Sequence, residues 1–367
     1  MSKEAKQKTK RYTALGLIFA VLGLLLFSYF VKKAGVHEIA GGIKRLGFGF
    51  LLIFMLGGVR QAAHALAWTK CFHAPYRLRF IDAFRARLMG DALGNILPLG
   101  ALVVSEPSKA VFVRDRVPLM AGASALVIEN IFYALSVSLF ISSGAIALLL
   151  RFSLPKPLRF VSFSALGVIL LIVSVGFLVI RRKLRLISGA LSFVGNSGIA
   201  RSWIATALPR ARTLEDRIYG FYEQSHPRFL FLLLVEMCFH VAGVVEAYVT
   251  LLFISTTIGP TLLTAFILES VNRVITLTFK FIPLRTGVDE AGTGMLSKVL
   301  GFTTATGVTL AIVRKARDVC WTAIGVALIL RRGISLKAAA RESEEIREEK
   351  MTSPEDALVA MPAAESG

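Results

Sequence analysis

Long apolar runs recur along the chain, separated by short segments rich in Lys and Arg. The runs at about 13–31, 48–68, 118–148, 160–180, 228–255 and 306–330 match the ~20 residues a helix needs to cross a bilayer. Two other apolar stretches are broken. The first, 84–112, holds Arg85, Arg87, Asp91 and Asn95, breaks at Pro98 and Gly100, and resumes with Glu106, Pro107 and Lys109. The second, 261–303, holds Glu269, Asn272, Arg273 and Lys280, breaks at Pro283 and Gly287, and resumes with Asp289, Glu290 and Lys298. Neither piece of the first stretch reaches the length of a span; if all of 261–282 in the second spans instead, the C-terminus flips outward. A break at membrane depth is tolerated only where protein or a polar cavity surrounds it. The pattern predicts an all-α polytopic membrane protein with about six spanning helices plus two re-entrant helix pairs.

The two broken stretches align at an offset of about 185 residues, with ILPL over FIPL and Pro98 on Pro283. Glu106 then falls beside Glu290, Glu129 falls on Arg314, and the run at 48–68 falls on that at 228–255. Each half reads as two spans, a broken pair and one span. Three spans per half is an odd number, so the second half is inverted, the build of many transporters. Repeat one covers about 13–150 and repeat two about 160–332. Residues 184–226 mix Arg with apolar positions and read as cytoplasmic surface helices.

Composition agrees with a membrane setting: 55% of residues are hydrophobic and 18% are charged, below the ~25% usual in soluble domains. The net charge of +19 sits mostly between apolar runs. No recognition motif accompanies it, so nucleic acid is excluded as a partner, and cytoplasmic retention of basic loops accounts for the charge. Residues 1–12 are basic, the tail 333–367 reads as disordered, and both are expected in the cytoplasm of a bacterium or archaeon, the chain lying in the inner membrane. The first run reads as a retained span rather than a cleaved leader. Cys71, Cys238 and Cys320 show no redox or zinc spacing.

An ionisable group at the bilayer centre costs ~2.5–3.5 kcal/mol on insertion scales. The charges in or near the spans therefore need partners, water or a ligand. Two readings stay open. The charges pair across helices and lock the bundle, or they line a hydrophilic cavity for a charged lipid headgroup. The candidate cavity residues are Asn95, Pro98, Glu106, Lys109, Glu129, Glu269, Arg273, Lys280, Pro283, Arg285, Gly287, Glu290, Arg314 and Asp318. Arg273, Lys280 and Arg285 suit a phosphate, and half-helix N-termini near Ala101 and Gly287 would add amide dipoles. Arg60, Arg85 and Arg87 read as marks of the cytoplasmic edge. His240 and Glu236 lie one turn apart and read as a core hydrogen bond. The five histidines show no metal-ligand spacing, and no catalytic motif, cofactor site or metal site is expected. An intramembrane transferase stays open, since its signature can be a few scattered charges.

The segment LPLGALVVSEPSKAVFV at 97–113 resembles the "P…GEPxKxxxL" signature of the flippase-like membrane proteins named for the transmembrane region of lysylphosphatidylglycerol synthase. IPLRTGVDEAGTGMLSKVLGF at 282–302 resembles their second signature. Ser105 replaces a usual glycine, and Asn130 follows Glu129 where the family carries arginine. The resemblance covers about 10–335 and implies lipid handling. It implies a stand-alone member without the soluble synthase domain, associated with phospholipid, polyprenyl-linked or hopanoid-type lipids. The expected function is binding and translocation of an anionic or phosphate-bearing lipid, with membrane lipids and lipid-biosynthesis enzymes as partners. The alternative is an intramembrane lipid-modifying enzyme or its accessory subunit. The expected site lies between Pro98–Lys109 and Pro283–Glu290. The inverted arrangement requires a cytoplasmic C-terminus: a reporter fused there is expected to be active only on the cytoplasmic side, and activity only in the periplasm would overturn the topology.

Overall fold

The computed structural model describes residues 35–96, 104–152, 154, 156–196, 201–224, 226–256 and 258–332, with isolated positions between 25 and 32. The expected first span, Pro98, Gly100, Ala101 and the tail fall outside the described residues, apart from those isolated positions. Every regular element among the described residues is a helix: α1 (Val36–Leu46), α2 (Gly49–Lys70), α3 (Phe80–Ile96), α4 (Ser105–Phe112), α5 (Leu119–Arg151), α6 (Lys156–Arg181), α7 (Leu186–Asn196), α8 (Arg201–Gln224), α9 (His226–Ile254), α10 (Leu262–Thr278), a 3₁₀ turn (Pro283–Arg285), α11 (Val288–Val299) and α12 (Thr304–Arg331).

Among the described residues, three helices are long and apolar enough to cross a membrane: α2, α5 and α9, the last over Arg228–Ile254. Their mean hydropathies are 1.5, 2.0 and 2.0. Helix α12 runs for 28 residues, but Arg314, Lys315, Arg317 and Asp318 interrupt its apolar character. The helix ends follow local chemistry. Pro118 stands immediately before α5. Thr261 caps α10 by accepting from the Thr264 N–H, and Thr303 caps α12 by accepting from the Thr306 N–H.

Helices α2 and α9 lie against each other at the centre. Helix α3 packs on α2, α4 and α12, and α10 packs on α9, α11 and α5. Helices α4 and α5 touch, as do α11 and α12. Helices α7 and α8 pack on each other, where the expected surface helices were placed, joined by Ser188 donating to Glu215 at 2.6 Å. Two apolar clusters fill the bundle. One includes Trp68, Leu93, Val117, Leu232 and Ile329; the other includes Ile53, Leu251, Leu268 and Leu310. Along α2, α9 and α12 the chain passes from one cluster to the other through its buried charged residues.

Lipid is as apolar as leucine, so helix association in a bilayer rests on close contact and polar pairing more than on apolar burial. Two crossings show this. A Cβ on Gly144 of α5 would overlap Ser270 of α10, and a Cβ on Gly325 of α12 would overlap the Leu88 carbonyl oxygen of α3. Backbone cannot move aside as a side chain can. Gly325→Ala is therefore expected to destabilise the purified protein by about 1–3 kcal/mol, read as a lower melting temperature in detergent. Gly176→Ala in α6, where nothing lies within 4 Å, should leave it unchanged or slightly higher.

Candidate functional site: a charged cavity between the broken helices

A cavity of about 270 Å³ opens between α2, α3, α4, α5, α10, α12 and the 3₁₀ turn. Its walls carry eight Arg or Lys side chains and five Asp or Glu side chains. Local backbone geometry puts several of them there. In the 3₁₀ turn Leu284 and Arg285 hold φ of 49° and 51°, a left-handed conformation that costs a non-glycine residue roughly 1–2 kcal/mol. The two residues line the cavity, and Arg285 is held by Asp318 at 3.1 Å and Asp289 at 3.4 Å. Gly287 follows with φ of 86°, and its N–H donates to the Glu290 carboxylate at 2.7 Å. This closes the N-terminus of α11, and Lys315 pairs with the same carboxylate.

The first broken pair builds a matching wall. Lys109 of α4 lies 2.9 Å from Asp91 and 2.7 Å from Glu106. Asn130 of α5 donates to the other Glu106 oxygen at 3.2 Å. Gly90 gives the Lys109 stem its room, since a Cβ there would meet Lys109 Cγ at 2.5 Å.

Deeper in, the charges form two linked groups. Glu129 accepts from His64 at 3.0 Å and from Arg87 at 3.1 Å, and Glu236 stands 3.2 Å from the same His64 nitrogen. Glu269 meets Arg314 at 2.8 Å, Arg60 at 3.6 Å and Arg273. Glu246 meets Arg60 at 3.0 Å and Arg317. Removing one member of a buried pair costs about 3–5 kcal/mol where the remaining partner is left charged with no other ion to meet it. Some capacity remains unused. Nε and Nη1 of Arg314 and Nε of Arg87 are buried without a hydrogen-bond partner.

Of the residues singled out from the sequence, Asn95, Glu106, Lys109, Glu129, Arg273, Lys280, Arg285, Arg314 and Asp318 line the cavity. Asn95 donates to Thr322 at 2.9 Å, joining α3 to α12. Glu269 sits behind the wall with no exposed surface. Pro283 lies between the cavity residues Ile282 and Leu284, while Gly287 and Glu290 form the cap of α11. Sequence reasoning set Arg60 and Arg87 at the cytoplasmic edge. They are instead buried in the cavity wall, and Arg85 alone of the three is exposed. It also passed over His64, Asp91, Glu236 and Glu246 as site members. The usable signal was helical spacing: Arg60 with His64, and Arg87 with Asp91, each pair on one face. His240 does not bond Glu236; it meets Ser136 at 3.2 Å and stacks on Phe140.

On the other side of α5 an apolar crevice of about 460 Å³ runs beside α6, α8 and α9, lined by Ile128, Phe132, Leu135, Val173, Phe221 and Phe229 among others. Helix α5 thus has a polar cavity along one face and an apolar crevice along another.

Comparison with the curated proteins and with solved structures returns no match. Residues 13–325 match a family model, that of the lysylphosphatidylglycerol synthase transmembrane region. A polar cavity set inside apolar helices and a match over most of the chain converge: this is a membrane-embedded helical protein related to lipid handling, and the chain belongs to the lysylphosphatidylglycerol synthase transmembrane-region family.

Proposed function

We propose that the protein carries an anionic or phosphate-bearing lipid between leaflets, with the headgroup in the charged cavity. The observation that carries this reading is Arg314, which is 3% exposed, lines the cavity and has two buried guanidinium nitrogens without a hydrogen-bond partner. A phosphate oxygen satisfies such donors, and charge-assisted bonds of this kind contribute about 1.5–3 kcal/mol. Lys280 and Arg285 stand at the same cavity. The apolar crevice beyond α5 and the surrounding lipid accommodate the acyl chains. In this reading the chain catalyses no covalent step and exchanges its lipid with biosynthetic enzymes. It lies in a bacterial or archaeal inner membrane with both termini cytoplasmic.

The packing pattern supports six spans with two re-entrant pairs in an inverted repeat. Contacts in one proposed half have counterparts in the other: α3 on α12 answers α10 on α5, and α2 on α3 answers α9 on α10. The glycine crossings repeat as well, Gly144 at Ser270 and Gly325 at Leu88. So does the ion pair between a long helix and a broken one, with the signs exchanged: Glu129 with Arg87, and Arg314 with Glu269.

The test is leaflet exchange of a fluorescent anionic phospholipid in proteoliposomes. Arg314→Gln is expected to slow exchange at least about tenfold, a loss of about 1.4 kcal/mol. Glu269 keeps Arg273 and Arg60 as partners in that variant, so its melting temperature should change little. Wild-type exchange no faster than that of protein-free vesicles would overturn the proposal.

A further inference from the structure

The geometry points to a buried proton-binding site formed by His64, Glu129 and Glu236, beside the charged cavity and distinct from its headgroup-facing cations. One ring nitrogen, Nδ1 of His64, lies 3.0 Å from a Glu129 oxygen and 3.2 Å from a Glu236 oxygen. The ligand atoms of the three residues all lie within 4.8 Å of one another. A single Nδ1 hydrogen serves one carboxylate well, and the shorter contact is to Glu129. Glu236 then stands at 0% exposure with neither oxygen receiving a hydrogen bond. A buried carboxylate in that state is costly. One added proton held within the trio reduces that cost by supplying positive charge beside the two carboxylates that face Nδ1. The proton comes from water and no other atom is exchanged.

Charge accounting favours a single positive charge over a divalent metal ion. Arg87 of α3, 3.1 Å from Glu129, already neutralises one carboxylate. One further positive charge balances Glu236, whereas a divalent ion would leave the buried group with excess positive charge next to a guanidinium. The other elements around the trio add groups of both signs. On α2, Arg60 stands one turn before His64 and is held by Glu246, and the buried Cys71 thiol donates to the Ala67 carbonyl. Glu106 of α4 is within electrostatic reach of Glu129 but is tied to Lys109. On α5, Tyr133 meets the His64 ring edge-on at 5.1 Å. On α9, Phe239 stands 4.3 Å from that ring and meets the guanidinium of Arg273 on α10 at 5.0 Å, and His240 is bonded to Ser136. His64 and Glu129 both line the cavity, which is the route for the proton. Since Glu129 also holds Arg87, loading the proton changes how firmly that arginine is held at the cavity wall. This last link, from proton to headgroup, rests on the proposed function; the proton site does not.

Two measurements separate them. The first uses purified full-length protein with ¹⁵N-labelled histidine, the His64 signal being assigned by its loss in His64→Gln. It is expected to change as the pH is varied, which reports loading of the proton. In Glu236→Gln, which keeps the shape of the side chain, the midpoint should move, because the carboxylate sharing the proton is gone. Failure of the signal to titrate, an unmoved midpoint in a folded Glu236→Gln protein, or a response to sodium or magnesium at constant pH would each overturn the site. The second measures exchange of a fluorescent anionic phospholipid in proteoliposomes with and without an imposed pH gradient. A gradient-dependent rate in wild type that Glu236→Gln abolishes supports the coupling, and a gradient-independent rate overturns it. Absence of any exchange in wild type would overturn the proposed function while the histidine titration still decides the proton site.

Discussion

Glu269 has no exposed surface, and three arginines converge on it: Arg273 from its own helix, Arg60 from α2 and Arg314 from α12. Much of the architecture follows from what that carboxylate demands. A buried anion in a low-dielectric bundle must be matched, and each arginine that matches it then needs a second acceptor or a ligand. Arg60 reaches on to Glu246, Glu246 to Arg317, and Arg317 to Asp318. The chain of compensation crosses four helices, α10, α2, α9 and α12, and ends at the cavity. Removing Glu269 would not loosen one contact; it would leave several cations facing one another.

That network also explains why the bundle holds together where apolar burial contributes little. Two apolar clusters sit on either side of the charged layer, but their side chains would be nearly as content against lipid. Specificity comes from the polar layer and from crossings that only glycine permits, at Gly144 and Gly325. The helix breaks belong to the same scheme. Leu284 and Arg285 adopt left-handed backbone, and the strain is held by the ion pairs of Arg285 with Asp289 and Asp318.

Much of this was legible in the residues. Apolar length alone located α2, α5 and α9, and the Pro/Gly breaks located the ends of α3 and α10. The cavity residues on the broken pairs were visible because a charge inside a short apolar piece has to meet a partner, water or a ligand. Arg60 and Arg87 were misplaced for a physical reason: a basic residue near the end of an apolar run looks the same whether it faces headgroups or turns inward. Only the partners decide, and those partners, Glu246 and Glu129, lie far away in sequence. Glu236 was misread because helical spacing offered His240 one turn away, while the histidine that meets it stands on α2. Glu290 follows a helix break, which from the sequence marks a cavity group; the break instead supplies an N-terminus for it to cap.

The exchange of sign between Glu129–Arg87 and Arg314–Glu269 has a consequence for energetics. Two halves identical in charge would give a bundle whose inward-open and outward-open shapes are mirror states of equal free energy. If the chain is the proposed inverted repeat, one half carries its acid on the long helix and the other carries its base there. The degeneracy is lifted, so if the two halves alternate, the empty protein has a preferred resting side, and the membrane voltage acts on the two shapes unequally.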